Sequence, residues 1–158
     1  MNTQTPTIFI CTGSIYRSPA AAAIWTAKTG LPAASYACSK AMAGSRIGPR
    51  MRRALEAAGY AYDEAYRSQW LGDAKLAAGT LVWGMQPGHL MTARGLGLKA
   101  SLLSSFIRLP KIPDPCFNPD EDACPATIRQ LEACIDALIK NDRQDLGRSL
   151  RAGVLPDA

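Results

Sequence analysis

A chain of 158 residues is long enough to bury one sizeable core and too short for two full domains. Its 47% hydrophobic and 20% charged residues exclude a disordered chain, a coiled coil and a collagen-like fibre. Eighteen basic against 13 acidic residues leave a formal charge of +5. That excess favours anionic ligands without choosing among phosphate esters, nucleic acid and acidic proteins.

The elements alternate along the chain. Thr7-Ile8-Phe9-Ile10-Cys11 is a short apolar, β-branched run that reads as a buried strand. It breaks at Thr12-Gly13-Ser14, and an alanine-rich helix follows, with Ser18 as N-cap, Pro19 as first helical residue and Gly30 as stop. Ser35 to Ser39 is a second strand. Pro49 to Gly59 is a second helix whose apolar face is Met51, Ala54, Leu55 and Ala58. A short helix is expected around Trp70 to Ala77, a third strand over Thr80 to Met85, a helix over Pro87 to Arg94 and a fourth strand over Ala100 to Leu103. After a loop containing Pro110, Pro113, Pro115 and Pro119, the stripe Ile128, Leu131, Ile135, Leu138 and Ile139 marks a long final helix. Strand and helix in alternation predict an α/β fold: a three-layer α/β/α sandwich around a four-stranded parallel sheet. Residues 1–140 are expected to form the domain, and residues 141–158 a C-terminal tail or frayed helix.

Composition narrows the chemistry further. The five cysteines, Cys11, Cys38, Cys116, Cys124 and Cys134, show no paired spacing, so reduced thiols are expected rather than a disulfide framework. With no C-x-x-C and a single histidine, His89, neither a metal nor another cofactor is expected. His89, Trp25, Trp70 and Trp83 read as packing residues. The basic residues are scattered and not interleaved with aromatics, so nucleic acid is not an expected partner. No stretch approaches the ~18 apolar residues of a membrane span, and Ile8 to Cys11 is too short for a secretory core. The expectation is a cytoplasmic, monomeric domain without membrane contact.

The stretch that carries chemistry is Cys11-Thr12-Gly13-Ser14-Ile15-Tyr16-Arg17-Ser18. A cysteine ends a strand, a glycine-containing loop turns, and an arginine and a serine sit where a helix begins. Backbone N–H groups of such a loop point at an oxyanion, and they stabilise a thiolate nucleophile in the same way. Arg17 can grip two phosphoryl oxygens with its planar fork. The Ser18 hydroxyl can donate to the thiolate. Nothing reads G-x-x-x-x-G-K-[ST], which excludes a nucleotide-type phosphate loop.

Ile8 through Pro19 resembles the signature of the low-molecular-weight protein tyrosine phosphatases. The likeness continues in Ile112-Pro113-Asp114-Pro115, similar to that family's general-acid loop, in Leu81 to Met85 with His89, and in Gly48-Pro49-Arg50 through Gly59. It spans roughly residues 7 to 140 and lies nearest the bacterial branch with a short pocket loop, associated with exopolysaccharide control. The resemblance implies hydrolysis of a phosphomonoester, on a phosphorylated protein or a small aryl phosphate, with inorganic phosphate as product and inhibitor. Cys11 would form a phosphocysteine, Arg17 would bind the phosphoryl group, and Asp114 would serve as acid and then base. The remaining loop residues Thr12, Gly13, Ser14, Ile15, Tyr16 and Ser18 would bind substrate, with Met42, Cys116 and Phe117 around the mouth.

Departures from the family pattern keep other readings open. Ser14 stands where an asparagine usually holds a left-handed backbone, and that asparagine's histidine and serine partners fall at Ala65 and Tyr36. With those supports changed, a catalytically impaired phosphate-binding module is the alternative. Arsenate reductase is a third reading, disfavoured because Leu81 to Lys99 contains no cysteine. Tyr16 occupies the place of the family's second loop cysteine. Cys116 replaces an aromatic, Phe117 is a candidate for that wall, and Cys116 is also a candidate partner for Cys11 under oxidation.

Overall fold

A computed structural model describes residues 5–151, with side chains through Asp142. Four parallel strands, β1 (Thr7–Cys11), β2 (Ala34–Ala37), β3 (Leu81–Gly84) and β4 (Ala100–Leu102), form one sheet in the order β2-β1-β3-β4. Four α-helices, α1 (Arg17–Thr29), α2 (Pro49–Ala57), α3 (Pro87–Gly95) and α4 (Ala123–Arg151), cover it. The arrangement is the three-layer sandwich expected from the alternation.

The central strand explains the layering. All five residues of β1 are buried, as a strand covered on both faces requires, so it reads as a continuous apolar run. Phe9 and Cys11 point into the larger core with Ile24, Leu55, Leu131 and Ile135. Ile8 and Ile10 point the other way, towards Leu71, Val82 and Ala93. The α4 stripe behaves as its period predicts: Ile128, Leu131, Ile135 and Leu138 are buried and Ile139 is half-buried. No described helix is long and apolar enough to cross a membrane.

Several boundaries differ from the sequence reading. Helix α1 starts at Arg17 with Tyr16 in the N-cap position and no side-chain cap. Ser18 cannot serve as the cap because its hydroxyl is turned to Cys11 and Ser14. Strand β2 ends at Ala37, after which Cys38 N–H and Ser39 N–H donate to Cys11 O and Thr12 O at 2.9 Å each. The helix expected over Trp70 to Ala77 is only a 3-10 turn, Leu71–Asp73. Trp70 is extended and bridges Ala37, and Ala37 N–H donates to Gln69 O at 2.7 Å, so pairing with β2 overrides local helix propensity. Helix α4 passes position 140 without a break. Residues 152–158 of the expected tail lie outside the described residues.

Strand order places the site. From β1 the chain moves outward one way to β2 and the other way to β3. In open parallel sheets such a switch point opens a crevice at the carboxyl ends of the strands. Cys11 stands at the end of β1 beside that crevice.

Candidate active site

The loop from Cys11 to Ser18 wraps the N-terminus of α1. Ser14 adopts φ +52°, one of two non-glycine residues with positive φ among those described. A left-handed serine costs on the order of 1–2 kcal/mol, so something must hold it. Ser14 is fully buried. Its hydroxyl lies 2.9 Å from Ser18 Oγ, 3.1 Å from Ser35 Oγ and 2.6 Å from the Tyr66 hydroxyl. Tyr66 in turn donates to Ser14 O at 2.8 Å and lies 3.0 Å from Ser35 Oγ.

These contacts can be assigned so that every hydroxyl donates once. Cys11 Sγ–H donates to Ser18 Oγ at 3.2 Å, Ser18 to Ser14 Oγ, Ser35 to the Tyr66 oxygen, and Tyr66 to Ser14 O, while the single Ser14 proton is shared between Ser35 Oγ and the Tyr66 oxygen. When the thiol ionises, Ser18 can turn its proton to the thiolate, joining its own backbone N–H, which lies 3.4 Å from Sγ. The loop therefore has a closed support. Burial raises the Tyr66 phenol pKa against the lowering effect of its Ser14 and Ser35 hydrogen bonds, so Tyr66 stays protonated and able to donate.

The supporting residues are not those expected. Tyr36 faces the opposite side of the sheet and packs against the cluster of Ile8 and Ile10. Ala65 is exposed, with its N–H on Asp63. Each true partner lies one residue away, at Ser35 and Tyr66. Period-two alternation along β2 was the available signal for the first: Ser35 and Ala37 share the face that turns towards α1, and Tyr36 does not. A loop residue such as Tyr66 carries no comparable register.

Arg17 is only 1% exposed, so its charge must be met inside the protein. Nη1 donates to Gln86 Oε1 at 2.8 Å and to Ile112 O at 2.9 Å, and Nη2 lies 3.3 Å from Asp114 Oδ2. Nε is a buried donor without a hydrogen-bond partner. That N–H is free to serve an anionic oxygen held in the loop, and a guanidinium edge can bind such a group through two parallel donors. Asp114 also begins the 3-10 turn Pro115–Phe117, its Oδ1 accepting from Cys116 N–H at 3.0 Å.

Thr12 is set by His89, which is buried as expected of a packing residue. Met85 N–H donates to His89 Nδ1 at 3.1 Å, so the proton sits on Nε2 and is donated to Thr12 Oγ1 at 3.0 Å. Burial, aided by the Arg17 charge, lowers the imidazole pKa to about 3. Gln86, His89, Ser35 and Tyr66 are thus contacts of the loop or of Arg17 that the sequence did not single out as such.

Around the mouth, Met42 lies over Gly13: a Cβ there would meet Met42 Cε at 2.7 Å and Ile15 Cδ1 at 3.1 Å. Tyr16 lies against Gly48, where a Cβ would be 2.4 Å from its ring. Cys116 is exposed, and Phe117, in the same turn as Asp114, is 87% exposed. Cys11 is buried, and all five cysteines are free thiols. No group of three or more His, Cys, Asp or Glu that could hold a metal occurs among the described residues.

A strand-ending thiol, a strained loop at a helix N-terminus, a buried arginine and a carboxylate facing it mark an α/β protein with a cysteine-containing loop after its first strand. Comparison with known proteins gives its family. Residues 7–151 match the family model described as low molecular weight phosphotyrosine protein phosphatase, and the chain belongs to that family. Membership supports phosphatase activity on phosphorylated substrates. A protein tyrosine phosphatase from Entamoeba histolytica superposes with a TM-score of 0.77 at 21% identity, covering 90% of this chain and 99% of that one. A low molecular weight protein tyrosine phosphatase from T. tengcongensis gives 0.74 at 23%, covering 87% and 99%. The Drosophila arginine phosphatase gives 0.75 at 19%, covering 87% and 97%. Curated proteins searched by sequence give no match.

Proposed function

We propose that the protein hydrolyses aryl phosphomonoesters, phosphotyrosine in proteins among them, through a phosphocysteine on Cys11. The observation that carries this is the alignment of Cys11 Sγ, Ser18 and Arg17 at the α1 N-terminus, with Asp114 3.3 Å from Arg17 Nη2. The Cys11 thiolate attacks phosphorus in line, forming the S–P bond as the P–O bond to the leaving group breaks. Arg17 and the loop N–H groups stabilise the charge on the equatorial oxygens. Binding of the phosphoryl group competes with Asp114 for the guanidinium; the freed carboxylate takes up a proton from solvent and then gives it to the departing oxygen. Asp114 then takes a proton from water as that water breaks the S–P bond, and Ser18 donates to the returning thiolate. The product is inorganic phosphate.

The network of Ser14, Ser35 and Tyr66 supports turnover over a binding role alone, because it holds the loop before substrate arrives. The fold is shared by proteins named as tyrosine and as arginine phosphatases. Ile15, Met42 and Phe117 give this mouth apolar side chains, which favour a neutral ring over a guanidinium leaving group. Acid quench during turnover of p-nitrophenyl phosphate, followed by peptide mass spectrometry, tests the reading. A phosphoryl adduct on the Cys11 peptide is expected; turnover without that adduct would refute the covalent route.

A further inference from the structure

We infer that Arg50 is the positioning residue for Asp114, clamping the turn that carries the carboxyl so that it meets the leaving oxygen. The inference rests on the acid role given to Asp114 above. Arg50 lies in the first turn of α2. Its Nη1 donates to Pro115 O at 3.4 Å, and its Nη2 donates to Asn118 O at 2.6 Å and Asp120 O at 3.2 Å. Pro115 begins the 3-10 turn Pro115–Phe117, Asn118 caps its end and Asp120 follows.

That grip acts on the carboxyl. Asp114 Oδ1 is bonded to Cys116 N–H within the turn, so the side chain moves with the turn rather than independently of it. Residues 116–120 are all exposed, and packing there supplies little restraint. The other end of the same helical turn is fastened to the nucleophile's loop. Gly48 N–H donates to Ile15 O at 2.9 Å, and the Tyr16 ring occupies the space beside Gly48. Arg50 thus joins the loop that holds Cys11 to the turn that holds Asp114. A planar guanidinium can serve several carbonyls at once in a fixed geometry, which a lysine ammonium reproduces only in part.

The role is distinguishable from simple stabilisation by leaving-group dependence. Proton donation matters most for a poor leaving group, and a positioned general acid contributes roughly 10²–10⁴-fold. Values of kcat/KM for phenyl phosphate and p-nitrophenyl phosphate are compared in wild type, Arg50→Ala, Arg50→Lys, Asp114→Asn and the R50A/D114N double variant. Amide hydrogen exchange is followed over residues 113–120 and 11–18. R50A is expected to lower phenyl phosphate hydrolysis about tenfold more than p-nitrophenyl phosphate hydrolysis. It should add almost nothing to D114N, be partly rescued in R50K, and speed exchange at Cys116 and Asn118 while sparing the Cys11 loop. Equal losses on both esters, additive losses in the double variant, or unchanged exchange at 113–120 overturn the assignment while leaving the phosphatase reading intact. Wild type inert on both esters overturns that reading, and the inference with it.

Discussion

Replacing Tyr66 by Phe keeps the ring and removes one hydroxyl, which isolates the support of the strained loop. The Tyr66 proton goes to Ser14 O, a carbonyl on a fully buried residue. Leaving a buried acceptor unpaired costs about 1–3 kcal/mol, and the Ser35 hydroxyl loses its acceptor in the same step. The left-handed Ser14 then keeps its strain with less to hold it. A loss of about 2 kcal/mol in stability is expected, which for a domain of this size lowers Tm by roughly 4–8 °C. If half or more of that energy holds the loop in its binding geometry, kcat/KM falls about 5- to 30-fold. Ser35→Ala, which breaks the same relay elsewhere, should cost less, about 1 kcal/mol. The double variant should fall short of the sum, because both residues serve one network. Steady-state p-nitrophenyl phosphate hydrolysis and thermal melts on the four proteins decide the matter. Full activity in Tyr66→Phe with a lowered Tm refutes the claim that the network preorganises the loop. Unchanged values of both refute the network itself.

Two further outcomes are expected. Gly48→Ala puts a Cβ about 2.4 Å from the Tyr16 ring. That overpacking should cost about 1–3 kcal/mol and weaken inorganic phosphate inhibition; an unshifted melt and inhibition constant would show that the contact is unimportant. His89, the single histidine, should show no imidazole titration between pH 5 and 8 and keep its proton on Nε2 by nitrogen NMR. Because its folded pKa lies near 3, below the ordinary value of about 6.5, the unfolded chain binds the extra proton first as pH falls. The stability linked to the neutral ring is therefore complete above about pH 6.5 and lost between there and pH 3, on the order of 5 kcal/mol. A titration near 6.5 would contradict the buried, hydrogen-bonded ring.

The sequence carried the fold because its periods are simple. A doubly buried central strand, proline and glycine at the ends of α2 and the α4 stripe each state one structure, and the structure follows them. What failed were places where a tertiary contact decides. Trp70 follows its bridge to Ala37 rather than its neighbours, and Ser18 gives its hydroxyl to the loop rather than to a cap. At the site, Cys11, Arg17 and Asp114 are legible from one short motif and one Asp-Pro pair, and the structure brings Arg17 against Asp114. The partners that hold them are single residues on separate segments. A slip of one position on β2 moved the expectation from Ser35 to Tyr36, the opposite face of the sheet, since side chains alternate there. Tyr66, Gln86 and Arg50 lie in a loop, just before a helix and on a helix surface, where chain spacing does not say what they touch.

Hydrolysis through Cys11 with Asp114 as proton donor is the mechanism proposed above. Its most direct test is p-nitrophenyl phosphate hydrolysis by reduced protein from pH 5 to 8, comparing wild type with Cys11→Ser and Asp114→Asn. Turnover by wild type, none by Cys11→Ser, and a slowing of about 10²-fold in Asp114→Asn are expected. A wild-type protein no more active than Cys11→Ser, or a Cys11→Ser that still turns over, contradicts the mechanism.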